Sequence, residues 1–465
     1  MTSTSRTLGF LLLFASCSRA PAPPASAERP NLIVISIDTL NRSALRCFEP
    51  RAAPLPFLDA FAAESVRFVH AITPASWTLP AHASLFTGVY PNGHGATDPR
   101  VQMSKNVATL AGQLASEYDT AAFARSVYLD PGYGLDRGFA KYDYVPEPED
   151  KPAAASSGSD PVFAAASEFV STRSPGGRPL FLFLQAFSVH NYYQQTVLPD
   201  DVPGDDAVLR RNIDWLTGEK PCPPEAWAAL ARKYAERVDQ MSRDFEAFAA
   251  ALKRAHLWDT SVIVFLSDHG EGFEPELGRI HHGGQLHADV ISIPLLVHLP
   301  GTPGRDETTP ASLIDVMPTL LALAHLKPPP GLDGVSLVPI LREGHPSVAP
   351  RTLYAMEHAY WWENGRRGLV ENVAASPLAA VAVRGDLWGI RGSGQSKPTD
   401  LKLAEGELLY DLLRDPDQHS PLSDPQALAA FDKSIGASPD GRVSARQRPN
   451  APAIEEQLKR LGYTR

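Results

Sequence analysis

The chain is 465 residues long, 43% hydrophobic and 21% charged, which suffices for a large core with a further domain beside it. A net charge of −10 with no basic run excludes nucleic acid as a partner, and 43 prolines exclude a helical bundle in favour of many loops.

In chain order, a single arginine, Arg6, precedes the apolar run Leu8 to Ala15. The run is too short to span a bilayer and reads as the apolar part of an export signal. Ala15-Ser16-Cys17 follows, similar to a bacterial lipoprotein cleavage box except that Phe14 stands where leucine is commoner. Cleavage near Ala27 with simple secretion is the alternative. Residues 1–28 are therefore expected to be signal peptide and Pro/Ala/Ser-rich linker. The protein is expected to be exported, as a periplasmic or cell-envelope lipoprotein with a lipid anchor on Cys17, or else secreted. Cys47 and Cys222 remain. Whether they pair is not legible, and two buried thiols are the expectation.

The fold begins at Arg29. Leu32 to Ile37 is apolar on both faces, which suggests a central parallel strand. Similar runs follow at Val66 to Val69, Thr120 to Ala124, Leu180 to Phe187, Val262 to Leu266 and Ile293 to Leu299. Helical patterns lie between them at Pro56 to Glu64, Val107 to Glu117, Pro161 to Ser171 and Glu225 to His256. Alternating strands and helices predict an α/β fold: a doubly wound, mostly parallel central sheet with helices on both faces. Lys141 to Gly158 and Asp200 to Pro224 read as inserted loops. After about Pro350, short strands such as Ala379 to Val383 and Leu408 to Asp411 alternate with turns. The expected division is a catalytic α/β domain over 29–349 and a smaller α+β subdomain over 350–465, with a short helix at Ala453 to Leu461.

Ligands in open α/β sheets bind beyond the carboxyl ends of the strands. Asp38 lies at one such end and Asp268-His269-Gly270 at another, and these side chains can share a divalent cation. Ser76 to Gly88 reads as a loop running into a helix, with Pro80 in the first turn and Gly88 stopping it. Thr78 falls at the helix N-terminus, where backbone N–H groups favour an anion. On this stretch alone Thr78 reads as an ordinary cap, with a nucleophile facing an anionic substrate as the alternative; two acidic strand ends beside it make a more specific set.

With these segments in order, the chain resembles the sulfatase family of the alkaline-phosphatase superfamily over roughly Pro30 to Asp424. NLIVISIDTL from Asn31 resembles the opening strand and first metal ligand. TPASWTLPAHASLFTGVYPNGHG from Thr73 resembles the nucleophile helix and the turn after it. LFLFLQAFSVH from Leu180 is similar to a strand ending in a substrate-binding histidine, and VIVFLSDHGEGF from Val262 to the second metal-ligand strand. IPLLVHLPG, SLIDVMPTLLALA, GLDGVSLVPIL and ELLYDLLRDPDQ, from Ile293, Ser312, Gly331 and Glu407, resemble later family signatures. The resemblance implies Asp38, Asp268 and His269 as metal ligands, with Thr78 as both ligand and nucleophile. It places His82 where true sulfatases carry an arginine. His190 and His282 fall near positions that contact the ester oxygens or protonate the leaving group. His281 competes with His282 for that role, and His287 supports them. His94 reads as a structural turn histidine, Glu271 as a solvated loop acid, Asp315 and Asp333 as caps or turn residues, and Trp77 as core packing.

The chain departs from the family pattern at three positions. Thr78 replaces the cysteine or serine that sulfatases oxidise to formylglycine, so no formylglycine is expected. Thr39 replaces an acid beside the first aspartate. That leaves fewer carboxylates around one divalent metal ion, calcium or, with this donor set, zinc or manganese. His82 exchanges a permanent charge for a titratable one. No further Asp/His/His set is apparent, so a single metal is expected. The leading expectation is a metal-dependent hydrolase of sulfate or phosphate/phosphonate esters, acting on a glycan, lipid headgroup or small molecule. The alternatives are a phosphoethanolamine- or phosphoglycerol-type transferase working through phospho-Thr78, and a catalytically dead binding protein.

Overall fold

The computed structural model describes residues 29–145, 158–173, 176–203, 205–274 and 279–343, and in the C-terminal part residues 351–358, 360–363, 366–369, 379–384, 387–392, 407–411, 415, 418, 422 and 446–447. The expected signal segment with Cys17 and the expected helix at 453–461 lie outside the described residues.

The fold is an α/β sandwich around an eight-stranded sheet. From edge to edge the strands are Arg305–Glu307, Val66–Phe68, Leu295–His298, Ser261–Ser267, Asn31–Ile37, Leu180–Ala186, Asp119–Ala124 and Lys141–Tyr144. The five from Ser261–Ser267 to Lys141–Tyr144 are mutually parallel. Asn31–Ile37 is one of the two middle strands of the eight, and its alternate residues feed two cores. Leu32 and Val34 join Leu85, Phe86 and Leu320 on one face; Ile33, Ile35 and Ile37 join Phe61, Phe245 and Phe248 on the other. Burial on both faces is why the strand reads as an unbroken apolar run. Each fully buried large side chain contributes about 1.5–3 kcal/mol, which explains the lack of polar alternation.

Four elements differ from the sequence expectation. Leu295–His298, within the run Ile293 to Leu299, is antiparallel to both neighbours. Lys141–Tyr144 is the edge strand of the main sheet, parallel to Asp119–Ala124, rather than the start of a loop. Its half-exposed polar residues gave no apolar signal. The expected loop Asp200 to Pro224 contains the helix Asp206–Leu216, capped by Asp205, whose side chain accepts from the Ala207 N–H. Buried Val208, Asn212, Trp215 and Leu216 supply its helical spacing. The helix expected over Val107 to Glu117 is limited to Leu110–Leu114. The long helix is Pro224–Arg254 and packs beneath the sheet.

The C-terminal part contributes a four-stranded antiparallel sheet of Leu353–Glu357, Ala379–Arg384, Leu387–Gly392 and Glu407–Asp411. Leu353, Ala355, Val381 and Val383 pack against Ile72, Leu286, Val290 and Ile291 of the larger part. Cys47 and Cys222 are free thiols, half-buried rather than buried, at the edge of the core under the long helix. Burial pushes both up to about 11. No helix among the described residues is long and apolar enough to cross a membrane.

Candidate active site

Sheet register creates the centre of the site. Ile37 pairs with Ser267 on the adjacent parallel strand, so the next residues, Asp38 and Asp268, stand side by side. Thr39 takes a left-handed backbone (φ 58°) and turns its N–H onto Asp268 Oδ1 at 3.2 Å. Gly270 follows His269 because a Cβ there would lie 2.1 Å from the Asp289 carbonyl oxygen. That close approach carries the Gly270 N–H bond to the Val290 carbonyl, 2.7 Å. The glycine of Asp-His-Gly is therefore a packing requirement rather than a turn preference.

Thr78 is the first residue of the helix Thr78–Thr87, not its cap. Trp77 holds the cap position in extended conformation with no side-chain capping bond. The Thr78 hydroxyl instead lies 3.4 Å from Asp38 Oδ2 and 3.3 Å from His269 Nε2. The helix is buried along its whole length and ends at left-handed Gly88 (φ 67°). Trp77 packs edge-on against Tyr128, with ring centroids 5.1 Å apart.

Asp38, Asp268 and His269 are fully buried. His269 Nδ1–H donates to the Gly270 carbonyl at 3.0 Å, which leaves the Nε2 lone pair for the site. That nitrogen is 3.4 Å from Asp268 Oδ2 and 3.9 Å from Asp38 Oδ1. Asp38 Oδ1 and Asp268 Oδ2 have no hydrogen-bond partner among the described residues. Burial, with Asp268 beside it, pushes the Asp38 carboxyl well above the usual carboxylate range; burial pushes Asp268 up to about 6. Burial also lowers His269 to about 4, so no imidazolium neutralises the pair near neutral pH. Two buried carboxylates without a counter-charge cost several kcal/mol per ion. Asp38, Asp268 and His269 offer three donor atoms within 4.8 Å of one another, a set that fits one divalent cation.

Gln185 was not singled out in the sequence. Its amide donates to Asp38 Oδ2 at 2.8 Å, while its carbonyl accepts from the Arg125 and Ser126 N–H groups at 3.0 and 2.9 Å. Those two bonds fix which way the amide faces. The available signal was a lone polar residue in the apolar run LFLFLQAF.

His82, expected to be catalytic, has both ring nitrogens engaged by the scaffold. Nδ1–H donates to the Thr78 carbonyl at 2.9 Å and Nε2 pairs with the Ser36 hydroxyl at 3.0 Å. Burial lowers its pKa, so the charge of the arginine it replaces is not reproduced. These bonds tie the helix to the central strand, and Nδ1 also lies 3.6 Å from Asp268 Oδ2. His190 is buried, stacked on Phe187 at 4.3 Å, with its ring 5.2 Å from that of His282. The His282 ring is in turn 4.6 Å from the ring of His269.

Glu271 is buried rather than solvated. Its carboxylate lies 3.3 Å from His281 Nδ1 and 3.2 Å from His282 Nδ1. His287 begins the helix Ala288–Ile291, its carbonyl accepting from the Val290 and Ile291 N–H groups. His94 is structural: Nδ1 accepts from the Ala96 N–H and Nε2 pairs with the Ser84 hydroxyl. Asp315 and Asp333 accept backbone N–H groups, from Ser312 and Val335 and from Tyr90 respectively. Glu357 of the C-terminal sheet, which no sequence signal marked, bonds the Ser76 hydroxyl and accepts from the Gly284 N–H.

Two carboxylates and a histidine at the ends of parallel strands face a hydroxyl on the first residue of a helix, an arrangement suited to ester hydrolysis. The family model named Sulfatase matches residues 30–326, and the chain belongs to the sulfatase family. It is 26% identical to mouse steryl-sulfatase, over 92% of this chain and 85% of that protein. Among solved structures it resembles the phosphonate monoester hydrolase of Agrobacterium radiobacter, with a TM-score of 0.67, 21% identity and coverage of 88% and 94% of the two chains. A putative sulfatase from Bacteroides thetaiotaomicron superposes with a TM-score of 0.70, 18% identity and coverage of 92% and 96%.

Proposed function

We propose that the protein hydrolyses anionic sulfate or phosphate/phosphonate esters with Thr78 as nucleophile. The observation that carries this reading is the Thr78 hydroxyl: it forms no capping bond and faces Asp38 and His269. Its proton has two acceptors in place, Asp38 Oδ2 and His269 Nε2. Asp38, Thr78, Asp268 and His269 would hold a divalent cation, which would lower the pKa of the hydroxyl and screen the charge of the attacked ester. Thr78 Oγ1 attacks sulfur or phosphorus, the ester oxygen leaves, and water then resolves the ester on Thr78. His190 and His282 meet the ester oxygens and supply the leaving-group proton. His82 positions the helix that carries the nucleophile.

Threonine shifts the balance towards phosphorus. A formylglycine diol expels sulfate by forming a carbonyl; a sulfated threonine has no such exit and needs water to attack sulfur directly. Mouse steryl-sulfatase and the Agrobacterium phosphonate monoester hydrolase between them span both ester classes. The apolar segment Leu8 to Ala15 and Cys17 support an exported protein, anchored by lipid or secreted.

The test is a panel of aryl sulfate, phosphate monoester, phosphate diester and phosphonate monoester substrates on metal-loaded protein. Turnover of a phosphorus ester, lost in Thr78→Ala, is expected. No turnover of any class with calcium, manganese or zinc overturns the reading. Products carrying an added alcohol in place of water would favour the transferase.

A further inference from the structure

We infer that Glu271, His281 and His282 form a second divalent-metal site beside the strand-end set. The inference goes beyond the proposed hydrolysis and makes the centre a two-metal one.

Donor type comes first. Two imidazoles and one carboxylate suit a borderline cation such as zinc, and three protein donors leave a fourth position for water or a substrate oxygen. Their donor atoms lie within 4.8 Å of one another, and all three residues are buried.

Spacing is the second observation. An imidazolium–carboxylate hydrogen bond closes to about 2.7–2.9 Å. Here His281 Nδ1 to Glu271 Oε1 is 3.3 Å, and His282 Nδ1 is 3.3 and 3.2 Å from the two Glu271 oxygens. Ligand atoms around a cation with bonds of about 2.0–2.1 Å in tetrahedral array stand about 3.3 Å apart. The contacts of Thr78 and Asp268 with His269 Nε2 have the same separations, 3.3 and 3.4 Å.

Backbone conformation is the third. Neighbouring residues on a strand point to opposite faces. His281 ends the strand Arg279–His281, which pairs antiparallel with Gly272–Glu274 in the register His281 to Gly272. Continued strand geometry would send His281 and His282 apart. Instead His281 adopts a left-handed backbone (φ 64°), and the two rings converge with centroids 4.0 Å apart. That conformation costs a non-glycine residue about 1–2 kcal/mol, and its effect is to bring two consecutive imidazoles onto one carboxylate.

Position gives the consequence. The His282 ring lies 4.6 Å from His269, a ligand of the first set. Two adjacent cations clamp the attacking and leaving oxygens of an in-line displacement. His282 then serves as a ligand, and His190 alone remains to protonate the leaving group.

The experiment loads the full-length protein with excess zinc, removes unbound ion and counts bound metal by mass spectrometry. Crystals of the same protein are mapped by anomalous scattering at the zinc edge. Two equivalents are expected in the wild type, with one anomalous peak between Glu271, His281 and His282. Glu271→Gln and His281→Ala should each fall to one equivalent and lose that peak alone. Asp268→Asn should lose the other. A wild-type map with no peak between Glu271, His281 and His282 overturns the inference, whatever the metal count. The wild-type map decides the matter even where a variant misfolds. Absence of only the strand-end peak from the wild-type map would count against the proposed function and not against this site.

Discussion

The strand-end set and the Glu271 cluster adjoin but are held in place by different means. Asp38 and Asp268 each follow a paired residue of two central strands buried on both faces. Their proximity is a consequence of register, and slipping it would turn whole strands inside out. The Glu271 cluster stands at the end of a hairpin with three-residue strands. It depends on a left-handed His281 and on Glu357, which accepts from Gly284 two residues past His282. Preorganisation by a sheet is shared among many bonds, whereas preorganisation by one strained residue is not. The first set should tolerate change around it; the second should respond to single substitutions.

The largest expected effect separates chemistry from architecture. Thr78→Ala should lower kcat by about 10³-fold or more while Asp38, Asp268 and His269 retain the metal, because the nucleophile is lost and three of the four ligands are not. Steady-state kinetics with metal analysis checks this, and a loss of less than tenfold would remove Thr78 from its role. Next, Gln185→Leu should weaken metal binding at the strand ends by about 10–100-fold, since Asp38 loses the amide that orients it. Metal titration measures it, and unchanged affinity would show that register alone positions Asp38. Gly270→Ala tests the register claim from the other side. Its Cβ would meet the Asp289 carbonyl at 2.1 Å, so about 1–3 kcal/mol of stability should be lost in denaturant unfolding.

The smallest effect is a pH dependence. Burial lowers His94 to about 3 from an ordinary 6.5. The unfolded chain therefore binds this proton more readily. The stability tied to neutral His94 is whole above pH 6.5 and is lost as pH falls towards about 3. His358, lowered to about 4 by burial, acts in the same direction. Unfolding midpoints between about pH 7 and pH 5 should fall with pH, and His94→Gln should flatten that slope. An unchanged slope would show that His94 is not neutral in the folded state.

Legibility followed the range of the interactions involved. The central strands, the helix from Thr78 and the acids at the strand ends rest on local patterns that repeat along the chain. Leu295–His298 has the same apolar character as the parallel strands of the sheet, and composition does not encode strand direction. The helix Asp206–Leu216 was hidden by its polar face and by flanking Pro, Gly and Asp residues. Glu271 looked like a loop acid because its partners, His281 and His282, are about ten residues away across a hairpin. Gln185 acts on Asp38 from 147 residues further along.

The family resemblance, the alternation of strands and helices and the candidacy of Asp38, Thr78, Asp268 and His269 were legible in the sequence itself. Burial patterns and strand-end chemistry are written locally, so they survive without coordinates. Only the tertiary structure decided that Thr78 is no cap, that His82 braces a helix, and that Glu271 joins two histidines. Each depends on which side chain a buried polar atom meets, and such partners are chosen by packing across distant segments.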